Sequence, residues 1–392
     1  MTSNHRSIAE HTSAPRYLAA LAALILCAAA VLVGRPAGAA SAETLANCTV
    51  QRGGAPRGSY WPMSRLEFEN VWSITQGRRI TDGKPVLVAV IDSGVNLQQP
   101  QLAKVDFAPF IDAVAHKSAA SIRDCVGHGT AVTGIIAAQP DAGVSPVVGV
   151  APQARILEIK DTGDDGKGTE ANLAYAINAA ADAHAAVVNI SGGVTSDPSP
   201  TLLAALDHAR RADMVVVAAA GNDQQSTNAA LYPAALSTKY PNILAVSAVD
   251  AKDDVGSFST SGQYVDLSAP GQGVEGLAAT QGFTNLNGTS FAAPFVTGTV
   301  ALLRAARPDM SATQVVRRLE ATADPPTAAV PDPRVGFGVV NPSLAVTAVT
   351  DDTVTGAASE APRPLPPRAP AAAPNRHLQH VAVGIALTLL GL

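Results

Sequence analysis

Short, continuously apolar segments recur along the middle of the chain and alternate with longer segments whose apolar residues have helical spacing. Continuous apolarity predicts strands that are buried on both faces, as in a parallel sheet. Alternation of such strands with helices predicts an α/β domain in three layers, a mainly parallel sheet with helices on both faces. The predicted strands are residues 86–91, 155–160, 187–191, 214–219 and 243–246, and the predicted helices are 128–138, 170–184, 200–212 and 290–306.

Two local signals refine the helices. Ser311 and Gln314 have the spacing of a capping box, in which each side chain satisfies a free amide of the other residue, so a further helix is expected to begin there and to end near Ala323. Pro294 lies early in the helix predicted for residues 290–306. A proline is tolerated there if it falls in the first turn, and this is the expected placement.

The N-terminal part of the chain differs from this pattern. Residues 1–42 combine basic residues, an apolar run at 17–33 and small residues up to Ala39 and Ala42, which predicts a secretory signal peptide. An uncleaved anchor is the alternative. Residues 43–84 are polar and irregular, with scattered apolar anchors, and are expected to wrap over the domain as an extension.

The folded domain is predicted for residues 85–350. Residues 351–380 are rich in proline and alanine, which predicts a linker. Residues 381–392 are apolar, but as a helix they would extend roughly 18 Å, less than the ~30 Å hydrocarbon core of a bilayer. They are interpreted as a short apolar C-terminus, with a truncated membrane anchor as the alternative.

Composition limits the function classes. Hydrophobic residues make up 47% of the 392-residue chain and charged residues 15%, so a sizeable core can be buried. The net charge of -5 comes with no basic stripe, and we expect no nucleic-acid partner. No cysteine and histidine cluster of the zinc-binding type occurs, and no metal or other cofactor is predicted. Structural calcium is not readable from the sequence.

The cysteines predict one disulfide. Cys27 lies within the predicted signal, so the exported chain retains Cys48 and Cys125. Two cysteines in an oxidising compartment favour a bond between them, with two unrelated free thiols as the alternative. A Cys48–Cys125 bond would attach the extension three residues before His128 and make it a permanent wrap rather than a removable segment.

Four short motifs carry the candidate chemistry. Asp92 ends a predicted strand within Val-Ile-Asp-Ser-Gly, His128 lies in Gly-His-Gly-Thr, and Ser290 lies in Gly-Thr-Ser-Phe-Ala-Ala-Pro. Asn222 follows another strand in Ala-Gly-Asn. Taken alone, the Asp92, Asn222 and Ser290 motifs are more often turns or helix caps, and the His128 motif is more often a histidine of the core or of a loop. In the order Asp, His, Ser they predict a hydrolase triad, with the Asn222 amide and the Ser290 backbone amide as oxyanion donors.

These motifs resemble those of the subtilisin-like serine proteases of peptidase family S8, and the resemblance spans about residues 81–341. Further matching motifs are Gly149-Val150-Ala151-Pro152, Asn189-Ile190-Ser191-Gly192-Gly193, Ser257-Phe258-Ser259, Ala269-Pro270-Gly271 and Gly336-Phe337-Gly338. The resemblance implies a subtilisin-like fold, a serine endopeptidase and a protein or peptide substrate.

The same resemblance implies substrate-binding positions. Gly166, Lys167 and Gly168 would form an edge strand that pairs with the substrate backbone. Lys167 would lie beside Asp164 and Asp165. The alternative interpretation of Lys167 is a solvated loop residue with no role in substrate binding. The S1 pocket would be lined by Ser191, Gly192 and Gly193 on one side and by Ala218, Ala219 and Ala220 on the other.

Within this family the chain is most similar to the mycosins, membrane-tethered proteases associated with type VII secretion. The similarity rests on the predicted signal, Val71-Trp72 in the extension, the cysteine three residues before His128 and the proline-rich linker. The segment after Asn222 has no cysteine pair of the kind that mycosins often carry. The resemblance implies an exported, membrane-associated or secreted protease with membrane components of that system as partners. A scaffold of the apparatus with little required proteolysis is the alternative.

Overall fold

A nine-stranded sheet forms the centre of the protein, as given by a computed structural model that describes residues 42–45, 48–58, 60–140, 145–223 and 225–349. Its strands are β3 (Leu87–Asp92), β4 (Asp106–Phe107), β5 (Phe110–Asp112), β6 (Lys117–Ala119), β7 (Arg155–Lys160), β8 (Val187–Ile190), β9 (Val215–Ala219), β10 (Ile243–Val249) and β11 (Leu267–Pro270). Their order in the sheet is β11-β10-β9-β8-β3-β7-β5-β6, and β4 pairs with β7 beside this path. All pairings are parallel except that of β5 with β6.

The helices cover both faces of this sheet. On one face, α2 (His128–Ala137) and α5 (Thr289–Ala306) pack with α6 (Ala312–Thr322) and α7 (Pro342–Thr347), and on the other α3 (Glu170–Asp182) packs with α4 (Pro200–Arg211). Strand side chains alternate between the two cores: Val88 and Val90 of β3 lie in the first, Ala89 and Ile91 in the second. This double burial is the reason for the continuous apolarity of the central strands. The predicted fold class is confirmed.

The predicted central strands and helices each agree with an observed element to within a few residues. The capping box of Ser311 and Gln314 is present at the start of α6, with both reciprocal hydrogen bonds formed. Sequence reasoning missed the hairpin of β12 (Gln272–Leu277) and β13 (Phe283–Asn287) and the short edge strands β4, β5 and β6. These elements are short or alternate irregularly, so they lack the continuous apolar signal.

The N-terminal segment lies on the domain. A hairpin of β1 (Ala42–Leu45) and β2 (Cys48–Gln51) precedes α1 (Trp61–Leu66) and a 3-10 helix, Phe68–Ser73. Gly54 exchanges backbone hydrogen bonds with Phe283 at 2.9 and 3.0 Å, so the segment continues the β12–β13 hairpin. Phe68 and Val71 are fully buried in the first core. The segment is therefore held by both backbone pairing and apolar packing.

The structure joins Cys48 to Cys125 by a disulfide, with the two Cα atoms 5.5 Å apart. The predicted signal peptide (apart from Ala42), the linker at 351–380 and the apolar terminus at 381–392 lie outside the described residues. Within the part of the chain that the structure describes, no helix has the length and apolarity needed to cross a membrane.

Candidate active site

Asp92 and His128 meet at the carboxyl end of β3. Asp92 is the last residue of this central strand, and His128 is the first residue of α2. His128 Nδ1 lies 2.8 Å from Asp92 Oδ1, and this oxygen also accepts the Ser93 amide at 2.7 Å. Because Asp92 occupies Nδ1, the Nε2 atom remains for a reacting group.

The glycines that flank His128 make this contact possible. Gly127 has a φ of 84°, a left-handed conformation that favours glycine. A Cβ atom on Gly129 would lie 2.2 Å from the Gly94 carbonyl oxygen and 3.1 Å from Asp92. The start of α2 can therefore approach the end of β3 only with glycine at position 129.

Electrostatics favour the protonated form of His128. Burial opposes a charge on the ring, but the charge of Asp92 and its hydrogen bond outweigh this effect. Asp124 and Asp161 add to the attraction, and the pKa of His128 is raised above its ordinary value. The group is thus suited to accept a proton and to hold it beside Asp92.

Asp124 organises the loop before His128, and sequence reasoning missed it. The side chain is fully buried, and its two oxygens accept hydrogen bonds from five donors. These donors are the Ser93 hydroxyl, the amides of Val126, Gly127 and Thr130, and the Thr130 hydroxyl, at 2.6 to 3.0 Å. An Asp shortly before a helix is a capping signal, and this signal could have identified it.

Ser290 lies in the first turn of α5, and its neighbours come from the end of β8. The Ser290 hydroxyl donates to the Ser191 carbonyl at 2.8 Å, and the Ser191 hydroxyl donates to the Ser290 carbonyl at 2.7 Å. Among the described residues no hydrogen bond joins Ser290 Oγ to His128. The hydroxyl must therefore rotate to reach Nε2.

Pro294 explains why the Ser290 carbonyl is available. The prediction that this proline falls in the first turn is wrong, because α5 begins at Thr289 and Pro294 lies in the second turn. A proline inside a helix has no amide hydrogen for the carbonyl four residues earlier, here that of Ser290. The Ser191 hydroxyl donates to this carbonyl instead, which compensates for the missing bond and fixes the turn that carries Ser290.

Asn222 follows β9 and is oriented by α5. Its side-chain oxygen accepts from the Thr289 amide at 2.9 Å and from the Thr289 hydroxyl at 3.1 Å. These two bonds leave the Asn222 NH₂ group directed away from Thr289, and no acceptor for it occurs among the described residues. The amide nitrogen lies 3.5 Å from the Cβ position of Gly288, at the start of the Ser290 turn. An oxyanion formed at Ser290 would find this donor close by.

A cleft of about 310 Å³ opens beside these groups. It contains Gly166 and Gly168 of the predicted substrate edge together with Ser191, Gly192 and Gly193. Its full lining consists of Ile91, Asp92, Ser93, Val126, His128, Asp161, Thr162, Gly166, Gly168, Thr169, Leu173, Ile190, Ser191, Gly192, Gly193 and Val194.

Two sets of predicted substrate residues are placed differently from expectation. Gly166, Lys167 and Gly168 do not form a regular strand: Gly166 ends a tight turn that begins at Gly163, and Lys167 and Gly168 return from it, with Gly168 in an isolated bridge to Thr162. The Lys167 side chain is 85% exposed and does not line the cleft. The three alanines at and just after the end of β9 are fully buried and are not among the residues that line this cleft; they are Ala218, Ala219 and Ala220.

The chain was compared with known protein families. The model of the subtilase family, Peptidase_S8, matches residues 83–338. The chain belongs to the subtilase family.

Among curated relatives of this subtilase, Mycosin-4 of Mycobacterium tuberculosis is 33% identical over 83% of the chain and 78% of the relative. Subtilisin DY of Bacillus licheniformis is 37% identical over 62% of the chain and 84% of the relative. The crystal structure of MycP1 with the N-terminal propeptide removed matches with a TM-score of 0.63 and 30% identity, over 74% of this chain and 98% of that one. The subtilase is therefore a serine endopeptidase related to the mycosins, and both predictions are confirmed.

In the part of this subtilase that the structure describes, no group of three or more His, Cys, Asp or Glu side chains is placed to hold a metal ion.

Proposed function

We propose that this protein cleaves peptide bonds with Ser290 as nucleophile, His128 as general base and acid, and Asp92 as the group that orients and stabilises the imidazolium. The observation that carries the proposal is the 2.8 Å contact of His128 Nδ1 with Asp92 Oδ1, made across 36 residues of sequence. It leaves Nε2 as the atom that exchanges protons with the Ser290 hydroxyl. The cleft beside these residues is open to a substrate strand.

The reaction begins when the Ser290 hydroxyl turns from the Ser191 carbonyl to His128 Nε2. The oxygen attacks the peptide carbonyl as its proton moves to Nε2, and the negative charge develops on the former carbonyl oxygen. The Asn222 NH₂ group and the Ser290 amide, near the N-terminus of α5, stabilise that oxyanion. His128 then protonates the leaving amine, and water releases the acyl group by the reverse sequence of proton transfers.

Labelling with a fluorophosphonate probe tests the assembled nucleophile. We expect the folded protein to be labelled and both the Ser290→Ala variant and the heat-unfolded protein to remain unlabelled, since the reaction needs the side chain and its surroundings. The Ser311→Ala variant removes a serine hydroxyl at the start of α6, away from the cleft, and as the matched control it should be labelled like the wild type. A folded, unlabelled wild-type protein would contradict the assignment.

We further propose that the protein is exported and serves a type VII secretion system as a mycosin-like protease, outside the cytoplasm and in association with the membrane components of that system. Its support is the 33% identity to Mycosin-4 over 83% of the chain and the predicted signal at residues 1–42. A comparison of secretion in cells with Ser290→Ala and cells with a full deletion tests this role. Equal defects indicate a proteolytic role, rescue by the variant indicates a scaffold, and normal secretion in both contradicts the proposal.

A further inference from the structure

Asp161 places a carboxylate in the cleft that the proposed reaction does not use. The residue follows β7, and its backbone is held on both sides: its amide donates to the Asp92 carbonyl at 3.0 Å, and its carbonyl accepts from Asn172 Nδ2 at 3.2 Å. The side chain lines the same cleft as His128. The backbone position of Asp161 is therefore fixed relative to the catalytic groups.

Within the described chain this carboxylate has no side-chain partner in contact with it, although the charges of Lys160 and His128 attract it from farther away. No side chain there donates a hydrogen bond to it, and no Lys, Arg or His nitrogen lies within 4.0 Å of it. The nearby cations have other partners: the Lys160 ammonium donates to the Ser93 and Arg123 carbonyls at 2.8 and 3.0 Å, and the Arg123 guanidinium pairs with Asp164 at 2.9 Å. Burial and the neighbouring Asp92 raise the pKa of Asp161 to about 7. The carboxylate thus has no side-chain donor, and only its own backbone amide and the more distant charges of Lys160 and His128 favour its charged form.

The walls around Asp161 suit a long side chain that ends in a cation. Val126 is 46% exposed and, with Leu173, supplies apolar surface along the cleft. Gly166 lies against Val126, since a Cβ atom on it would be 3.3 Å from Val126 Cγ2, and Gly168 lies beside the carboxylate, since its Cβ atom would be 3.8 Å from Asp161 Oδ2. Because neither glycine carries a side chain, the cleft stays open at both places. Lys and Arg place an aliphatic stem on apolar surface while the charged end reaches a polar partner. An acidic side chain at the same place would be repelled by Asp161 and Asp92.

The order of the walls indicates which substrate residue would be selected. In an extended substrate, successive side chains point to opposite sides of the backbone. The strand β3 is flanked by β8, which leads to Ser191, on one side and by β7, which leads to Asp161, on the other. If the residue that supplies the cleaved carbonyl, P1, points toward Ser191, then the preceding residue, P2, points to the side of Asp161.

We propose that Asp161 is a specificity-determining residue that accepts a Lys or Arg side chain of the substrate at P2. This inference rests on the proposed function, because it requires peptide substrates to bind in this cleft. A hydrogen bond between a buried carboxylate and a cationic group favours the basic residue over an uncharged one of equal length by roughly 10- to 100-fold in kcat/KM.

A fluorogenic peptide library tests the inference. The full-length protein is assayed with peptides randomised at P1 and carrying Lys, Arg, norleucine or Glu at P2. We expect kcat/KM for Lys and Arg to exceed that for norleucine by at least about 10-fold and Glu to be the poorest, as a single buried carboxylate predicts. In Asp161→Asn the advantage of Lys over norleucine should disappear while norleucine peptides are still cleaved.

Two further variants separate recognition from structure. Asp197→Asn removes an exposed acid between β8 and α4, which has no hydrogen bond or ion pair among the described residues, and it should retain the wild-type preference. Asp161→Glu retains the charge and should recover part of the preference for Lys. Equal cleavage of Lys and norleucine peptides by the wild type, or a preference that survives in Asp161→Asn, would overturn the inference.

A binding measurement keeps this test independent of the chemistry. If no peptide is cleaved, the proposed function fails, and calorimetry on Ser290→Ala with the same Lys and norleucine peptides still reports recognition at P2. We expect tighter binding of the Lys peptide, and we expect Asp161→Asn in the same background to remove the difference. Equal affinities, or no binding of either peptide at millimolar concentration, would overturn the inference about Asp161.

Discussion

Removal of the disulfide between Cys48 and Cys125 should destabilise the protein through its unfolded state. The bond closes a loop of 77 residues. On the chain-entropy estimate, such a loop restricts the unfolded chain by about 15 cal/mol/K, which corresponds to about 4.5 kcal/mol at 25 °C. The native segment retains its backbone pairing with Phe283 and the buried Phe68 side chain, so the native state should remain folded without the bond.

Equilibrium unfolding in guanidinium chloride measures this effect. Cys48→Ser, Cys125→Ser and the double variant are compared with the oxidised wild type, with circular dichroism as the check that each variant is folded and probe labelling of Ser290 as a separate measure of the site. All three variants should lose the same free energy of unfolding, up to about 4.5 kcal/mol, because each substitution removes the same covalent bond. The m-value should rise, since an unfolded chain without the crosslink exposes more surface.

Two results would refute this reasoning. A loss below about 1 kcal/mol would mean that the bond does not limit the unfolded chain as the loop length predicts. A double variant that is less stable than either single variant by more than about 0.5 kcal/mol would mean that the two sulfur atoms make separate contributions and are not one interaction. A folded protein that loses probe labelling would instead show that the bond positions the loop before His128.

The remaining predictions concern the site and two buried groups. Asn222→Ala should lower kcat by about 10²- to 10³-fold with little change in KM, measured on the preferred peptide, because one oxyanion donor is lost; an unchanged kcat would remove Asn222 from the site. Glu158 is fully buried and accepts a hydrogen bond from Thr133 at 2.7 Å. Burial raises the pKa of Glu158 well above its usual value despite that bond, and the charges of Asp92, Asp124 and Asp161 raise it further. The native state therefore holds a proton that the unfolded chain releases, so the free energy of unfolding falls as pH rises above about 4.5 toward the folded pKa, by up to about 1.4 kcal/mol per pH unit. Glu158→Gln should flatten this pH dependence, measured by urea unfolding between about pH 5 and 8. An unchanged slope would contradict the buried proton. The kcat/KM of the Lys peptide divided by that of the norleucine peptide should rise with pH through about 7 as Asp161, which faces Asp92, His128 and Lys160, loses its proton. Titration of His128 as general base affects both substrates and cancels in this ratio. A ratio that rises equally in Asp161→Asn would assign the effect to another group. Ser311→Ala should lower stability by about 1 kcal/mol in thermal unfolding because it removes the cap of α6, whereas a neutral result would mean that packing alone fixes the start of the helix.

Local sequence determined the framework of this protein. The central strands are apolar at every position because each is buried on both faces, and this pattern is visible without any knowledge of partners. The glycines beside His128 also have a local meaning, since one needs a positive φ and the other a close backbone approach. The order of the Asp92, His128, Asn222 and Ser290 motifs then identified the family, because four weak signals in one order are specific together.

Tertiary structure alone decided how the site is completed. Ser191 meets Ser290 across 99 residues, and Asp124 meets Ser93 across 31 residues. Each of these polar residues would pass for an ordinary turn or cap in the sequence, since its role depends on a donor or acceptor that is far away in the chain. Asp161 is the clearest example: its neighbours Asp164 and Asp165 have the same chemistry, but only Asp161 lies beside Asp92 in the cleft without a cationic partner in the described chain. Spacing predicts which side chains share a strand or a helix, whereas the folding of the sheet decides which charges are buried together.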